Sequence, residues 1–178
     1  MQQKIVIIGG PGTGKSTVLK ELISRGHSCM AEISREVILA AQKKGIDQLF
    51  LTEPLLFSDL LLEGREKQFT DADKQTNALV FFDRGIPDVH TYLNFLNTEY
   101  PSYFIEKSMQ YRYDKVFILP PWKEIYTPDN ERYESFEQAV KIYQHLKIAY
   151  REVGYTLSIV PFGSVKERTD FILDSLEL

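Results

Sequence analysis

Apolar residues in this chain fall into short unbroken runs, separated by longer stretches with helical spacing. Residues 5–8 are all Ile or Val, with no polar residue to mark an exposed face. That is the pattern of a strand buried on both sides. Residues 78–82, 115–119 and 156–160 form three further short strands, and residues 27–32 a weaker one. Between them, helices are predicted over 15–24, closing near Gly26, and over 34–44, stopping at Gly45. A leucine-rich helix follows Thr52-Glu53-Pro54 to about residue 76, with Thr52 as its cap. Further helices are expected over 87–96, 102–110, 135–153 (closed by Gly154) and 164–176. Strands alternating with helices predict a parallel sheet covered on both faces.

The first strand runs directly into Gly9-Gly10-Pro11-Gly12-Thr13-Gly14-Lys15-Ser16, and a helix follows. This spacing is that of a phosphate-binding P-loop in its proper strand–loop–helix setting. Glycines let backbone N–H groups turn inward around phosphate oxygens, and the helix N-terminus adds partial positive charge. Gly10, Gly12, Thr13, Gly14, Lys15, Ser16 and Thr17 are therefore the candidate nucleotide-binding residues. Lys15 would reach the β- and γ-phosphates, and the Ser16 hydroxyl would face Mg²⁺. A dinucleotide fingerprint fits less well, because its third glycine would fall on Lys15 if counted from Gly10.

Composition narrows the class. The 178 residues are 43% hydrophobic and 26% charged, enough for one domain over 1–178 with its own core. The net charge of −4 argues against a general nucleic-acid-binding surface. A single cysteine, Cys29, excludes a disulfide framework and reads as a small buried hydrophobe. No apolar run approaches the roughly 18 residues of a membrane span, and the first eight residues are too short for a signal-peptide core, so a cytoplasmic location is expected. Three histidines, His27, His90 and His145, show no metal-ligand spacing.

Carboxylate–arginine pairs follow two of the strands. Asp83-Arg84 ends the run 78–82, at the sheet edge where ligands of open α/β folds bind. Asp83 can hold Mg²⁺, or take the proton of an attacking hydroxyl. Arg84 can clamp an acceptor, and Asp88 either contacts substrate or complements the next helix dipole. Glu32 and Arg35 form the second pair, with Glu32 a candidate general base and Arg35 a substrate contact or a surface arginine. Residues 122–133 form a long polar loop, with a lid expected over about 120–134. Arg132 on this lid is the choice for stabilising charge in the transition state, and Lys123 is a second cation there. Gly163 and Ser164 follow the last strand, beside the expected nucleotide base. Ser164 also suits an N-cap, with Glu167 completing a capping box.

The P-loop, Glu32 with Arg35, the segment Phe82-Asp83-Arg84-Gly85-Ile86-Pro87-Asp88 and the closing pattern from Gly154-Tyr155 to Ile172 resemble the AAA-like ATPase/kinase family. That family is grouped with the nicotinamide riboside kinase domain of the bacterial regulator of NAD synthesis. More distantly, the layout is similar to nucleoside and nucleotide kinases. The resemblance implies a three-layer α/β/α P-loop fold with five parallel strands in the order 2-3-1-4-5 and a mobile lid. It implies ATP and Mg²⁺ as phosphoryl donor and cofactor, and a small nucleoside- or nucleotide-like acceptor. By order in the chain it matches Glu32 to the family's base, and Asp83 with Arg84 to the pair that handles substrate and metal; with Lys15 of the P-loop and Arg132 of the lid, Glu32 and Asp83 make the expected catalytic set, and Ser16 and Asp83 the expected metal ligands. The adenylyltransferase domain of the NAD-synthesis regulator has no counterpart in this sequence. The rival reading is a nucleotide-binding sensor or an ATPase module without a small-molecule acceptor. A Ras-like switch is disfavoured, since neither Asn-Lys-x-Asp nor Asp-x-x-Gly occurs.

Overall fold

A computed structural model of the chain describes residues 2–46, 49–126 and 135–176. Strands β1 (Gln3–Ile8), β2 (Ser28–Met30), β3 (Leu79–Asp83), β4 (Lys115–Ile118) and β5 (Leu157–Ile159) form one sheet in the order β2-β3-β1-β4-β5. Every pairing is parallel. The expected strand order is therefore the observed one.

The β1 run is uninterrupted because its two faces serve different layers. Val6 and Ile8 join Val80 and Phe82 of β3 beneath α7 (Phe136–Glu152), and Ile5 and Ile7 face Val18, Leu19 and Leu22 of α1 (Lys15–Ser24). Helix α8 (Val165–Asp174) covers the α1 side through Ile172. A third apolar cluster joins α2 (Ser34–Lys43), α4 (Pro54–Ala72), α5 (Pro87–Phe95) and α6 (Tyr103–Gln110) through Leu61, Leu62, Val89, Leu93 and Phe104. Tyr143 and Tyr150, seven residues apart on α7, belong to the core.

Local chemistry sets several boundaries. Gly154 closes α7 with a left-handed backbone, φ 84°. Ser135 with Gln138, and Ser164 with Glu167, form complete capping boxes on α7 and α8. Thr52 does not cap α4. It ends a one-turn helix, α3 (Leu49–Thr52), that apolar spacing did not predict, and Glu53 takes the cap position without a side-chain bond. A four-residue helix is too short to display a period. No described helix is long and apolar enough to cross a membrane.

This topology positions the chemistry. β1 is central, with β3 on one side and β4 on the other, so the chain leaves β1 where the sheet order reverses. The C-terminal ends of β1 and β3 lie side by side at the edge where the switch-point rule places ligands.

Candidate active site

The loop from Gly9 to Gly14 joins β1 to α1. Gly12 and Gly14 have φ of 71° and 75°, a left-handed conformation that disfavours any side chain. Gly14 is the N-cap of α1 and offers no side-chain cap. The first-turn N–H groups of α1 are thus open to an anion. The Thr13 hydroxyl donates to the Gly10 carbonyl at 2.9 Å, and that of Thr17 to Gly14 at 2.7 Å, which stiffens the loop from inside. Ser16 is exposed on the first turn of α1.

Lys15 is buried, and its Nζ forms an ion pair with Asp83 at the end of β3. Burial first, and then the Arg84 guanidinium, lower the Lys15 ammonium below its ordinary pKa, and Asp83 opposes them. Arg84 follows with φ 70°, a left-handed backbone rare for a non-glycine residue. Its N–H donates to the Ile7 carbonyl at 3.1 Å, which ties this turn to β1. Arg84 Nε lies 2.7 Å from Glu32 Oε2, and Nη1 donates to the Tyr92 hydroxyl at 3.0 Å.

Glu32, on the loop after β2, is held on several sides. Oε1 accepts from the Ser34 N–H at 3.0 Å and from Arg65 Nη2 at 3.3 Å. Burial alone would raise its pKa. The Arg84 and Arg65 guanidiniums, the Ser34 N–H and Lys15 together hold it down at about 2.

Asp88 lies inside the fold, at the start of α5, and not on an open wall. Its Oδ2 accepts from the Gly85 N–H at 2.9 Å and the Tyr150 hydroxyl at 2.5 Å, pinning the β3–α5 turn to α7. Arg35 is exposed in the first turn of α2, outside this buried cluster. Ser164 spends its hydroxyl on the α8 capping box, and Gly163 precedes it, next to the rings of Phe162 and Trp122, which meet at a tilt with centroids 5.0 Å apart. Lys123 is exposed. Arg132 lies outside the described residues, as does most of the expected lid. Of the segment after β4, Tyr126 packs its ring edge against Gly12 and Ile125 lies against Gly14.

Two site residues had not been singled out in the sequence. Arg65, from α4, donates to the Gly85 carbonyl and lies 3.9 Å from Asp88 Oδ2. Arg168, from α8, reaches under the loop, and its Nη2 donates to the Thr13 carbonyl at 2.7 Å. The signal was present in both cases. Arg65 falls four residues after Leu61, and Arg168 four before Ile172, on the buried stripes of their helices.

Gly85 is confined by this packing. A Cβ there would come 2.6 Å from the Tyr150 hydroxyl, 2.9 Å from a Tyr113 ring carbon and 3.0 Å from Val6. Gly85→Ala is expected to cost about 1–3 kcal/mol, read as a lower urea midpoint at unchanged slope.

Comparisons with known proteins agree with the fold. The chain superposes on deoxyadenosine kinase from M. mycoides, solved with dCMP and dCDP, with a TM-score of 0.73 at 18% identity, covering 97% of this chain and 98% of that one. It superposes on NadR, solved with NR, with a TM-score of 0.74 at 16% identity. That match covers 99% of this chain and 52% of NadR, so this chain spans about half of that protein. Shikimate kinase from Acinetobacter baumannii gives 0.56 at 16% identity, over 98% and 93% of the two chains. At these identities the likeness establishes the fold. No curated protein sequence matches. The sequence model of one family, described as an AAA domain, matches residues 4–168, from the second residue of β1 to the arginine beneath the phosphate loop. The chain belongs to that AAA domain family.

Proposed function

We propose that this protein transfers the γ-phosphoryl group of ATP to the hydroxyl of a small nucleoside-like acceptor. The observation that carries this reading is the meeting, at the C-terminal ends of β1 and β3, of the P-loop with Lys15 and of the Glu32–Arg84 pair. The first suits a triphosphate. The second suits a group that must lose a proton as it attacks.

The residues present fit ATP and Mg²⁺. Gly12 and Gly14 leave the loop without side chains, and the α1 N-terminus is uncapped. The exposed Ser16 hydroxyl and the Asp83 carboxylate are hard oxygen donors of the kind Mg²⁺ takes. When bound, the ion supplies charge neutralisation at the β- and γ-oxygens. Lys15 turns from Asp83 to the phosphates, which frees the carboxylate. Glu32 takes the acceptor proton as the new P–O bond forms and the β–γ bridge breaks, releasing ADP. Arg84 orients the acceptor. The exposed Phe162 ring, tilted against Trp122, offers a face for the nucleotide base.

Among the described residues, charge balance favours a hydroxyl over a phosphate as acceptor. Lys15, Arg84 and Arg65 are each matched by Asp83, Glu32 or Asp88. A phosphate-bearing acceptor needs cations that are not already matched. A screen of ADP formation over nucleosides, nucleoside monophosphates and vitamin ribosides tests the reading. Acceptor-dependent turnover with a nucleoside or riboside, and none with monophosphates, is expected. Tight ATP binding that no acceptor converts to turnover would favour the sensor instead.

A further inference from the structure

Glu32 is bracketed by two guanidiniums of different character. Arg84 is partly accessible, with 24% of its side chain exposed, and it is held by Glu32 and by the hydroxyl and ring of Tyr92. Arg65 is 3% exposed and fixed on three sides. It donates to the Gly85 carbonyl, meets Glu32 Oε1 and faces Asp88 Oδ2. One cation reaches the surface and the other is enclosed.

We propose that Arg65 is a positioning residue, a fixed counter-ion that keeps Glu32 ionised and in place when Arg84 turns to the acceptor. The proposal rests on the phosphotransferase reading for its use, though not for its geometry. A buried carboxylate with no cation beside it takes up a proton, and a protonated Glu32 cannot receive one from a hydroxyl. If Arg84 were the sole partner, engaging the acceptor would switch off the base at the moment it is needed. Arg65 removes that conflict. The groups facing Glu32 are Arg84 from the β3–α5 turn, Arg65 from α4, the Ser34 N–H from α2 and Lys15 from α1. Arg65 in turn faces Asp88 from α5 and Tyr150 from α7. Of these, Arg65 alone is a permanent charge with no exposed route out. Its bond to the Gly85 carbonyl also steadies the turn on which Arg84 adopts its left-handed backbone.

Two single variants test this in the full chain, with the Glu32 side-chain carboxyl followed by ¹³C NMR titration. In Arg84→Gln, which keeps Arg65, Glu32 should still titrate below its ordinary 4.5. In Arg65→Gln, which keeps Arg84, the midpoint should rise by at least one pH unit, and further when a nucleoside and a non-hydrolysable ATP analogue are added. Arg65→Lys should restore most of the shift, since charge at the same place is what matters. Glu32 titrating at or above 4.5 in Arg84→Gln would overturn the proposal. So would an unmoved midpoint in folded Arg65→Gln. If Arg65→Gln does not fold, the Arg84→Gln and Arg65→Lys titrations still decide it. In turnover, the acid limb of kcat should move up in Arg65→Gln, whereas a purely structural role would lower the rate at all pH values alike. Absence of acceptor-dependent turnover in the wild-type chain would sink the phosphotransferase reading and leave the titrations to judge Arg65.

Discussion

Lys15→Ala should lower acceptor-dependent ADP formation by roughly 100- to 1000-fold, the usual cost of removing one preorganised donor to developing charge. The ammonium is desolvated and lies against Asp83, so it contributes far more than a solvent-exposed cation would. The substitution has a second effect. The wild-type lysine draws the Asp83 carboxylate toward the loop, and the alanine leaves that carboxylate without its partner. Binding should therefore weaken along with kcat, seen as a smaller rise in unfolding temperature on adding ATP and Mg²⁺. Lys15→Arg keeps the charge but brings a planar, bulkier group into a buried site, and is expected to recover little of the rate. Unchanged turnover in Lys15→Ala would remove the P-loop from the reaction.

Glu32→Gln is expected to reduce kcat by roughly 100- to 10,000-fold, the range for loss of a general base, while ATP binding stays near wild type. The free carboxyl, held at about 2, is a weak base as it stands. It becomes a better one as the acceptor draws Arg84 away, and a loose transition state asks for the proton late. Glu32 is ionised throughout the neutral range, so no rise in rate between pH 5 and 8 comes from this group. It also contributes to stability. Its folded pKa lies below the unfolded 4.5, so that contribution is complete above 4.5 and is lost as pH falls from 4.5 toward 2. The wild-type chain should show this acid-induced loss of urea resistance, and Glu32→Gln should lack this component of it. A kcat within threefold of wild type in Glu32→Gln would shift the role of base to Asp83.

The sheet was legible because both signals on which it depends are local. The unbroken apolar run shows in residues 5–8 without any knowledge of partners, and Gly12, Gly14 and Lys15 sit at fixed offsets from the strand they follow. Asp83 and Arg84 were legible for the same reason, lying one step past a buried strand. Arg65 and Arg168 were not, because a charged residue in a helix is usually solvated. Only the buried stripe they share with Leu61, Leu62 and Ile172 distinguishes them, and that stripe points inward without saying toward what. The pairing of Glu32 with Arg84 and Arg65, with Arg35 left exposed, could not be read from spacing either. It depends on α4 crossing the β3–α5 turn, which is a fact of packing and not of sequence distance.

The central position of β1 also bears on how the chain is made. Its neighbours are β3, beginning with the Gln3–Leu79 pair, and β4, where Ile5 meets Lys115. At ribosomal rates of roughly 5–20 residues per second, the four-residue apolar run waits several seconds or more for its second neighbour. During that time its hydrogen-bonding edges and both of its apolar faces are open, which is the condition that invites association between nascent chains. Helix α1 can cover one face early, because it is local. The other face, which α7 covers, waits until more than a hundred further residues have been added, since α7 begins only at Phe136. A strand that anchors the phosphate loop is thus made well before the elements that protect it.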